Sequence, residues 1–298
     1  GRGIGFSTFV SAGNRADVSG NDLLQYWLED ADTDIALLYL ETFGNPRRFA
    51  RVARRVAARK PIVCVKGARS RAGRRAAEAR SGLPGAGEAE VEALFDQTGI
   101  IRAETLDELF DVAVLLAHQP LPRGNRVAVI ANSAGVATLL ADAADANGLA
   151  VAGTGVVNLG AFTTPARYEE AVRAALEHPE TDAVLVAFAC VGECRPDLVT
   201  AAIADAAAGA AAPGGDKSVL VCIMGAQGTV TAAGERGARV FPAYRFPEAA
   251  PRALSRVVRY AAFRRQPADA TVWHDDVDAA GARREVQAVL AAKSDDEP

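Results

Sequence analysis

The feature that most restricts this chain is the regular exchange of two hydrophobic periods. Short aliphatic runs such as "DIALLYL", "PIVCVKG", "RVAVIA", "DAVLVAF" and "SVLVCI" are separated by longer stretches with apolar residues at helical spacing. A run that is apolar at successive positions is a strand buried on both faces. Sheets of that kind are parallel and need helices on each side.

The pattern predicts strands over 4–10, 35–40, 61–66 and 99–102, with helices over 20–30, 46–58, 88–97 and 105–117. "QPLPRGN" at 119–125 then interrupts it with two prolines and a turn dipeptide. Strands return at 126–131, 150–153, 183–189, 218–223 and 239–241, with helices at 134–147, 165–177, 197–208 and 247–263. "GAAAPGGD" at 209–216 reads as a surface loop. The tail carries one amphipathic helix at 278–292 and a frayed acidic end, "SDDEP". The reading is an α/β chain of two consecutive flavodoxin-like, doubly wound parallel-sheet domains of about five strands each, since a barrel would require eight units. The boundaries fall at 1–122, 123–266 and 267–298, the last a linker and helix.

Bulk properties exclude several functions. A formal net charge of −4 gives no electrostatic footprint for nucleic acid or an anionic membrane. No apolar run reaches the 18 or more residues of a membrane helix. Without an initial Met or a signal peptide, the chain reads as a piece of a longer cytoplasmic protein. Of the four cysteines, Cys64 and Cys222 sit inside strand-like runs. Cys190 and Cys194 lack the second ligand pair of a zinc site, so all four read as structural thiols and no metal is expected.

Ligands of open α/β sheets bind at the carboxyl ends of strands. After the first predicted strand comes "SAGN", giving Ser11, Gly13 and Asn14. After the first strand of the second half comes "NSAG", Asn132, Ser133, Ala134 and Gly135, leading straight into a helix whose amino end suits an anion. An ordinary tight turn with an N-cap is the plainer reading of each. Neither matches a dinucleotide fingerprint or a P-loop.

The order of these pieces is specific. The stretch from "FVSAGNRADVSGNDLLQYW" through "KPIVCVKGARSRAGRRAA" resembles the NDP-forming acyl-CoA synthetases, relatives of succinyl-CoA synthetase. The similarity continues through "LFDQTGIIRAETLDELFDVAVLLAHQPLPRGNRVAVIANSAGVATLLADAADANGL", "TTPARYEEAVRAAL" and "FPEAAPRALSRVVRYAAFRRQP". The resemblance implies succinyl-CoA synthetase-like domains, a CoA-binding domain before residue 1 and an ATP-grasp domain after residue 298. It also implies a reversible reaction in which acyl-CoA, phosphate and ADP give acid, CoA and ATP. CoA or acyl-CoA and ATP or ADP are then ligands of the intact parent, with none assigned to this fragment alone.

In that family a histidine within a Ser-His-Thr-Gly loop carries the phosphoryl group, and both helix amino ends would point at it. Here the loop reads Ala79, Arg80, Ser81, Gly82. A guanidinium has no free lone pair at neutral pH, so Arg80 can bind an anion but cannot carry a phosphoryl group. His118, His178 and His274 offer no replacement by position. Arg80, Ser81 and Gly82 therefore join the anion-binding candidates, and no catalytic residue is assigned. Arg69, Arg71, Arg74 and Arg75 either hold phosphate oxygens or form a solvated face. "NLGAF" at 158–162 departs from the family's Asn-Pro-x-Asp-type turn.

These departures resemble the regulatory region of Pat-type protein lysine acetyltransferases, fused to a GNAT domain. The expectation is an inactive, acyl-CoA-sensing ligase core. The alternatives are part of an active ADP-forming ligase and a structural interaction module. A homodimer is one assembly open to the fragment.

Overall fold

The computed structural model describes residues 3–12, 19–81, 87–190, 195–210, 216–224, 228–234, 237–266 and 278–293. Gly1–Arg264 cluster as one unit and Arg265–Pro298 as another. The "GAAAPGGD" loop and the "SDDEP" tail fall largely or wholly outside the described residues, as do Cys194 and His274.

The chain runs α1 (Gly20–Glu29), β1 (Ala36–Leu40), α2 (Pro46–Ala57), β2 (Ile62–Lys66), α3 (Arg71–Ser81), α4 (Glu88–Thr98), β3 (Ile101–Ala103) and α5 (Leu106–His118). Then follow β4 (Arg126–Ala131), α6 (Ala134–Ala146), β5 (Ala150–Asn158), α7 (Pro165–Glu177), β6 (Ala183–Phe188) and α8 (Pro196–Gly209). The last strands and helix of this unit are β7 (Ser218–Ile223), β8 (Gly228–Gly234), β9 (Gly237–Tyr244) and α9 (Ala249–Arg265). The second unit's described residues form α10 (Ala279–Lys293).

Two parallel sheets result. The first has the order β1-β2-β3 and the second β5-β4-β6-β7-β9-β8, in which only β8 runs antiparallel, as a hairpin with β9. Omitting β8, the second sheet has the flavodoxin-like order 2-1-3-4-5. The successive apolar positions that announced it face two cores. Val127, Val129, Ala131, Leu185 and Leu220 join a cluster that also contains Leu24, Val52, Val63 and Phe95 of the first half. Ala128, Ile130, Val184, Val186, Val219 and Val221 face α7 and α8 on the other side. Helix α9 belongs to the second half in sequence but ties to the first: Tyr260 Oη donates to Ala57 O at 2.9 Å.

The linker is held by Gln119. Its Oε1 accepts from Val219 N at 2.8 Å and its Nε2 donates to Val240 O at 3.1 Å, where β7 and β9 have not yet begun to pair.

Four expectations are corrected. Residues 4–10 form no strand: they run beside β1 without pairing to it. The described first sheet therefore has three strands, not about five. β5 extends to Asn158 instead of ending near 153, because Gly153 and Gly155, at φ +67° and +68°, make an irregularity that the strand survives. β8, "GTVTAAG", escaped notice because its alternation is short and made of Thr and Ala. The run after Ser70 is a helix where a loop was expected. Its alanines and arginines are strong helix formers, and Ser70 Oγ accepts from Gly73 N at 3.0 Å.

Candidate functional site

The carboxyl ends of both sheets carry the residues of interest. In the second sheet the chain leaves β4 for β5 on one side and enters β6 on the other, so the switch point lies between β4 and β6. Asn132 sits there, 2% exposed. Its Nδ2 donates to Ala189 O and its Oδ1 accepts from Ala189 N, both at 2.8 Å. The side-chain amide thus closes the crevice like one rung of a ladder. Below it Tyr168 Oη donates to Ala187 O at 2.8 Å, and burial raises its pKa.

Ser133 occupies the N-cap of α6, with extended backbone and no side-chain cap bond. Ala134 and Gly135 are exposed, and a Cβ on Gly135 would meet nothing within 4 Å. The first turn of α6 itself carries no acidic residue to compensate its dipole. The neighbouring turn is made by Gly160, at φ +86°, whose N–H donates to Asn158 Oδ1 at 3.2 Å. Cys190 follows Ala189 and is disulfide-bonded, against the expectation of a reduced thiol. It lies beyond the end of β6, whereas Cys64 lies within β2 of the first sheet and Cys222 within β7 of the second. Cys64 and Cys222 are free and buried, as expected, and burial pushes each thiol up to about 12.

The amino end of α1 is different. Asp22 accepts from Ser19 N at 3.0 Å and from Ser19 Oγ at 2.5 Å, and pairs with Arg48 at 2.7 Å. The Ser19 hydrogen bonds hold its carboxyl below the usual range. A carboxylate already compensates that helix end. Ser11 is exposed and belongs to no element, while Gly13 and Asn14 lie outside the described residues.

In the first sheet Lys66 ends β2, 4% exposed. Its Nζ donates to Glu41 O at 2.7 Å and Gly67 O at 2.6 Å, and lies 5.7 Å from the Phe43 ring centre. Burial lowers its pKa. This lysine stitches the turn after β1 to the turn after β2. The next turn contains Ala68 at φ +56°, a left-handed conformation that costs a non-glycine residue about 1–2 kcal/mol.

Helix α3 follows, and Arg80 and Ser81 lie in its last turn. Gly82 lies outside the described residues. Chain leaving at Arg69 and returning at Glu88 is closed by an Arg69 Nε–Glu88 Oε1 contact of 3.3 Å. Arg69 also pairs with Glu104. Arg102, 8% exposed, receives Glu88, Glu92 and Glu104. Burial opposes its charge, but the bonds to Glu88 and Glu92 outweigh burial and raise its pKa. Arg256 of α9 adds Glu104 at 3.7 Å and Glu108 at 2.9 Å.

Arg69 is thus engaged with carboxylates, while Arg71 and Arg75 are exposed. His118 Nε2 meets Gly3 O at 3.2 Å and His178 Nδ1 accepts from Glu180 N at 3.2 Å, both away from α3. Sequence reasoning missed Lys66 and Arg102. The available signal was a charged residue in an otherwise apolar strand, "IVCVK" and "IRA".

Two parallel sheets, one in the 2-1-3-4-5 order, define a flavodoxin-like α/β protein. Residues 1–116 match the succinyl-CoA ligase-like flavodoxin domain. The chain is 32% identical over 279 residues to the alpha subunit of an ADP-forming acetate–CoA ligase I of Pyrococcus furiosus, covering 86% of this chain and 59% of that subunit. It is 41% identical over 139 residues to an ADP-forming acetate–CoA ligase of Methanocaldococcus jannaschii, covering 47% of this chain and 20% of that protein. A solved structure of the dinucleotide-forming acetyl-coenzyme A synthetase 1 of Ca. Korarchaeum cryptofilum, in complex with phosphate and ADP, superposes with a TM-score of 0.74. It is 29% identical and covers 86% of this chain and 59% of that one. The chain belongs to the NDP-forming acyl-CoA synthetase-like family, and spans between a fifth and three fifths of the length of these relatives. No described helix is long and apolar enough to cross a membrane.

Proposed function

We propose that this chain is the ligase core of an acyl-CoA synthetase-like protein that has lost its phosphoryl relay and now senses acyl-CoA, as in the regulatory region of a Pat-type lysine acetyltransferase. The observation that carries the proposal is Arg80, which stands where the family resemblance places the phosphoryl-carrying histidine. Phosphoryl carriage needs a nitrogen lone pair at neutral pH, which guanidinium lacks. The two described histidines are engaged elsewhere, His118 with Gly3 and His178 with Glu180. What remains suited to an anion is the open first turn of α6, with Ala134 and Gly135 exposed, together with Ser133. The retained chemistry is binding without turnover, within a parent that supplies the CoA-binding and ATP-grasp domains and a GNAT domain.

A working ligase is the second reading, favoured by the 32% identity to an acetate–CoA ligase subunit across 86% of the chain. Acyl-CoA-dependent ATP synthesis by the full parent polypeptide, beside an Arg80→His version, separates the two. The sensing proposal expects no ATP from the unmodified parent and a rise in its melting temperature with acetyl-CoA. ATP made by the unmodified parent overturns it.

A further inference from the structure

Helix α2, "PRRFARVARRVA", holds five arginines and no acidic residue in its 12 residues. Phe49, Val52, Ala53, Val56 and Ala57 fill its buried side. Successive helical residues are about 100° apart, so Arg47, Arg51 and Arg55 fall on the opposite side, stepped by about 40° each. All three are exposed. They rise in single file, about 6 Å apart along the helix axis.

The flank of α2 that faces α1 is already neutralised. Arg48 pairs with Asp22 at 2.7 Å, and Arg59, just past the helix, lies 3.6 Å from Glu29. α1 thus brings one carboxylate to each end of α2. Among the described residues no carboxylate pairs with Arg47, Arg51 or Arg55. Helix α7 shows the other way to treat exposed arginines: Arg167 and Arg173 pair with Glu170 and Glu169 of the same helix. In α2 the three guanidinium groups repel one another at four-residue spacing, and Arg47 also opposes the positive amino end of the helix. Carboxylates brought to this row from outside relieve both effects.

The shape of the row selects what can bring them. Its spacing is that of acidic residues at i, i+4 and i+8 on a second helix lying alongside, and each guanidinium can hold a carboxylate through two hydrogen bonds. α2 exposes no large apolar or aromatic side chain that could enter a bilayer or stack on bases. The net charge of −4 opposes any polyanionic surface much wider than the row. We propose that the outer face of α2 is a docking surface for an acidic helix of a partner protein, held by Arg47, Arg51 and Arg55.

Fluorescence anisotropy with the whole chain and two labelled, end-capped, alanine-rich helical peptides of equal composition tests this. One peptide carries glutamates at i, i+4 and i+8, on one face; the other carries them at i, i+5 and i+10, spread around the helix. At low salt the first should bind at least tenfold more tightly, which is the gain three exposed ion pairs can supply together. The triple variant Arg47→Gln/Arg51→Gln/Arg55→Gln should lose that preference, and about 0.3 M salt should erase it. The double variant Arg48→Gln/Arg59→Gln should keep it, since α1 already engages those arginines. Without peptide, the triple variant should unfold at an equal or higher urea concentration than the parent at low salt, because like charges have been removed; this also reports that it is folded. Equal binding of the two peptides overturns the proposal, as does a preference that survives in the triple variant. Tighter binding of phosphatidylserine vesicles or a short DNA duplex than of the first peptide, lost in the triple variant, overturns the assignment to an acidic helix.

Discussion

Replacing Asn132 by Ala is the most informative perturbation of the second sheet. The side chain makes two 2.8 Å hydrogen bonds, to Ala189 N and Ala189 O, from a position 2% exposed. Alanine leaves both backbone groups without that partner at the point where β4 and β6 diverge. An unsatisfied buried polar group costs about 1–3 kcal/mol, so the pair amounts to about 2–4 kcal/mol after partial hydration of Ala189. With a urea slope of about 2–3 kcal/mol per molar, the unfolding midpoint falls by about 1 M. Asn132→Asp sharpens the test. A carboxylate can still accept from Ala189 N but repels Ala189 O, whereas a protonated carboxyl can donate to it. The folded pKa of that Asp is therefore raised above its unfolded value of about 3.9. Its contribution is fully present below the unfolded pKa and is lost as pH rises through the folded one. The Asp variant should lie nearest the parent in acid and fall away towards neutrality, read as the stability difference at each pH. An Asn132→Ala protein within about 0.5 kcal/mol of the parent would refute the account, because that is the range of substitutions that touch nothing.

Gly99 caps α4 at φ +73°, and a Cβ there would collide with the Phe263 ring of α9, whereas Gly148 has the same φ and open space. Gly99→Ala should cost about 2–4 kcal/mol and Gly148→Ala about 1–2, and equal costs by denaturant unfolding would show that α9 does not press on that cap. Cys64 and Cys222, buried with thiols pushed up to about 12, should resist iodoacetamide at pH 8 in the native protein and react once it is unfolded. Native alkylation at the rate of a free thiol, read by mass spectrometry, would contradict that burial. Burial opposes the Asp182 carboxylate, but Arg126, binding it through Nε and Nη2 at 3.0 Å each, holds its pKa below the usual value. That stabilisation is present above the unfolded pKa and lost as pH falls through the folded one, so Asp182→Asn should flatten the acid limb of the stability profile. An unchanged limb would assign acid sensitivity to other carboxylates.

The strands that sequence reading placed best are those buried on both faces. β4, β6 and β7 are apolar at successive positions because both cores press on them, and β2 because both of its faces are buried in the first, so the pattern survives any choice of neighbours. Among the described residues β8 and the later part of β5 have one partner strand each, so their composition is looser and glycine ends the visible pattern early. Helix α3 was obscured by a different cause: with eleven residues rich in Arg and Ala it buries little, leaving propensity as its main signature.

The site was legible where one residue type fixes one role and illegible where role depends on a distant partner. "NSAG" announces a helix amino end through local spacing, and α6 starts where that spacing puts it. Nothing local announces that Asn132 will spend its amide on Ala189, 57 residues away. Nor does the row of arginines after β2 reveal that Arg69 is drawn into carboxylates from α4 and the turn before α5. Those carboxylates also converge on Arg102, and Arg256 reaches one of them from α9, near the far end of the folded unit. Breaking a buried, multiply paired guanidinium strands several charges at once, so Arg102 restrains the chain that follows α3 more firmly than any one exposed pair could. Arg80 thus stands at the end of a helix whose flanks are held by charge.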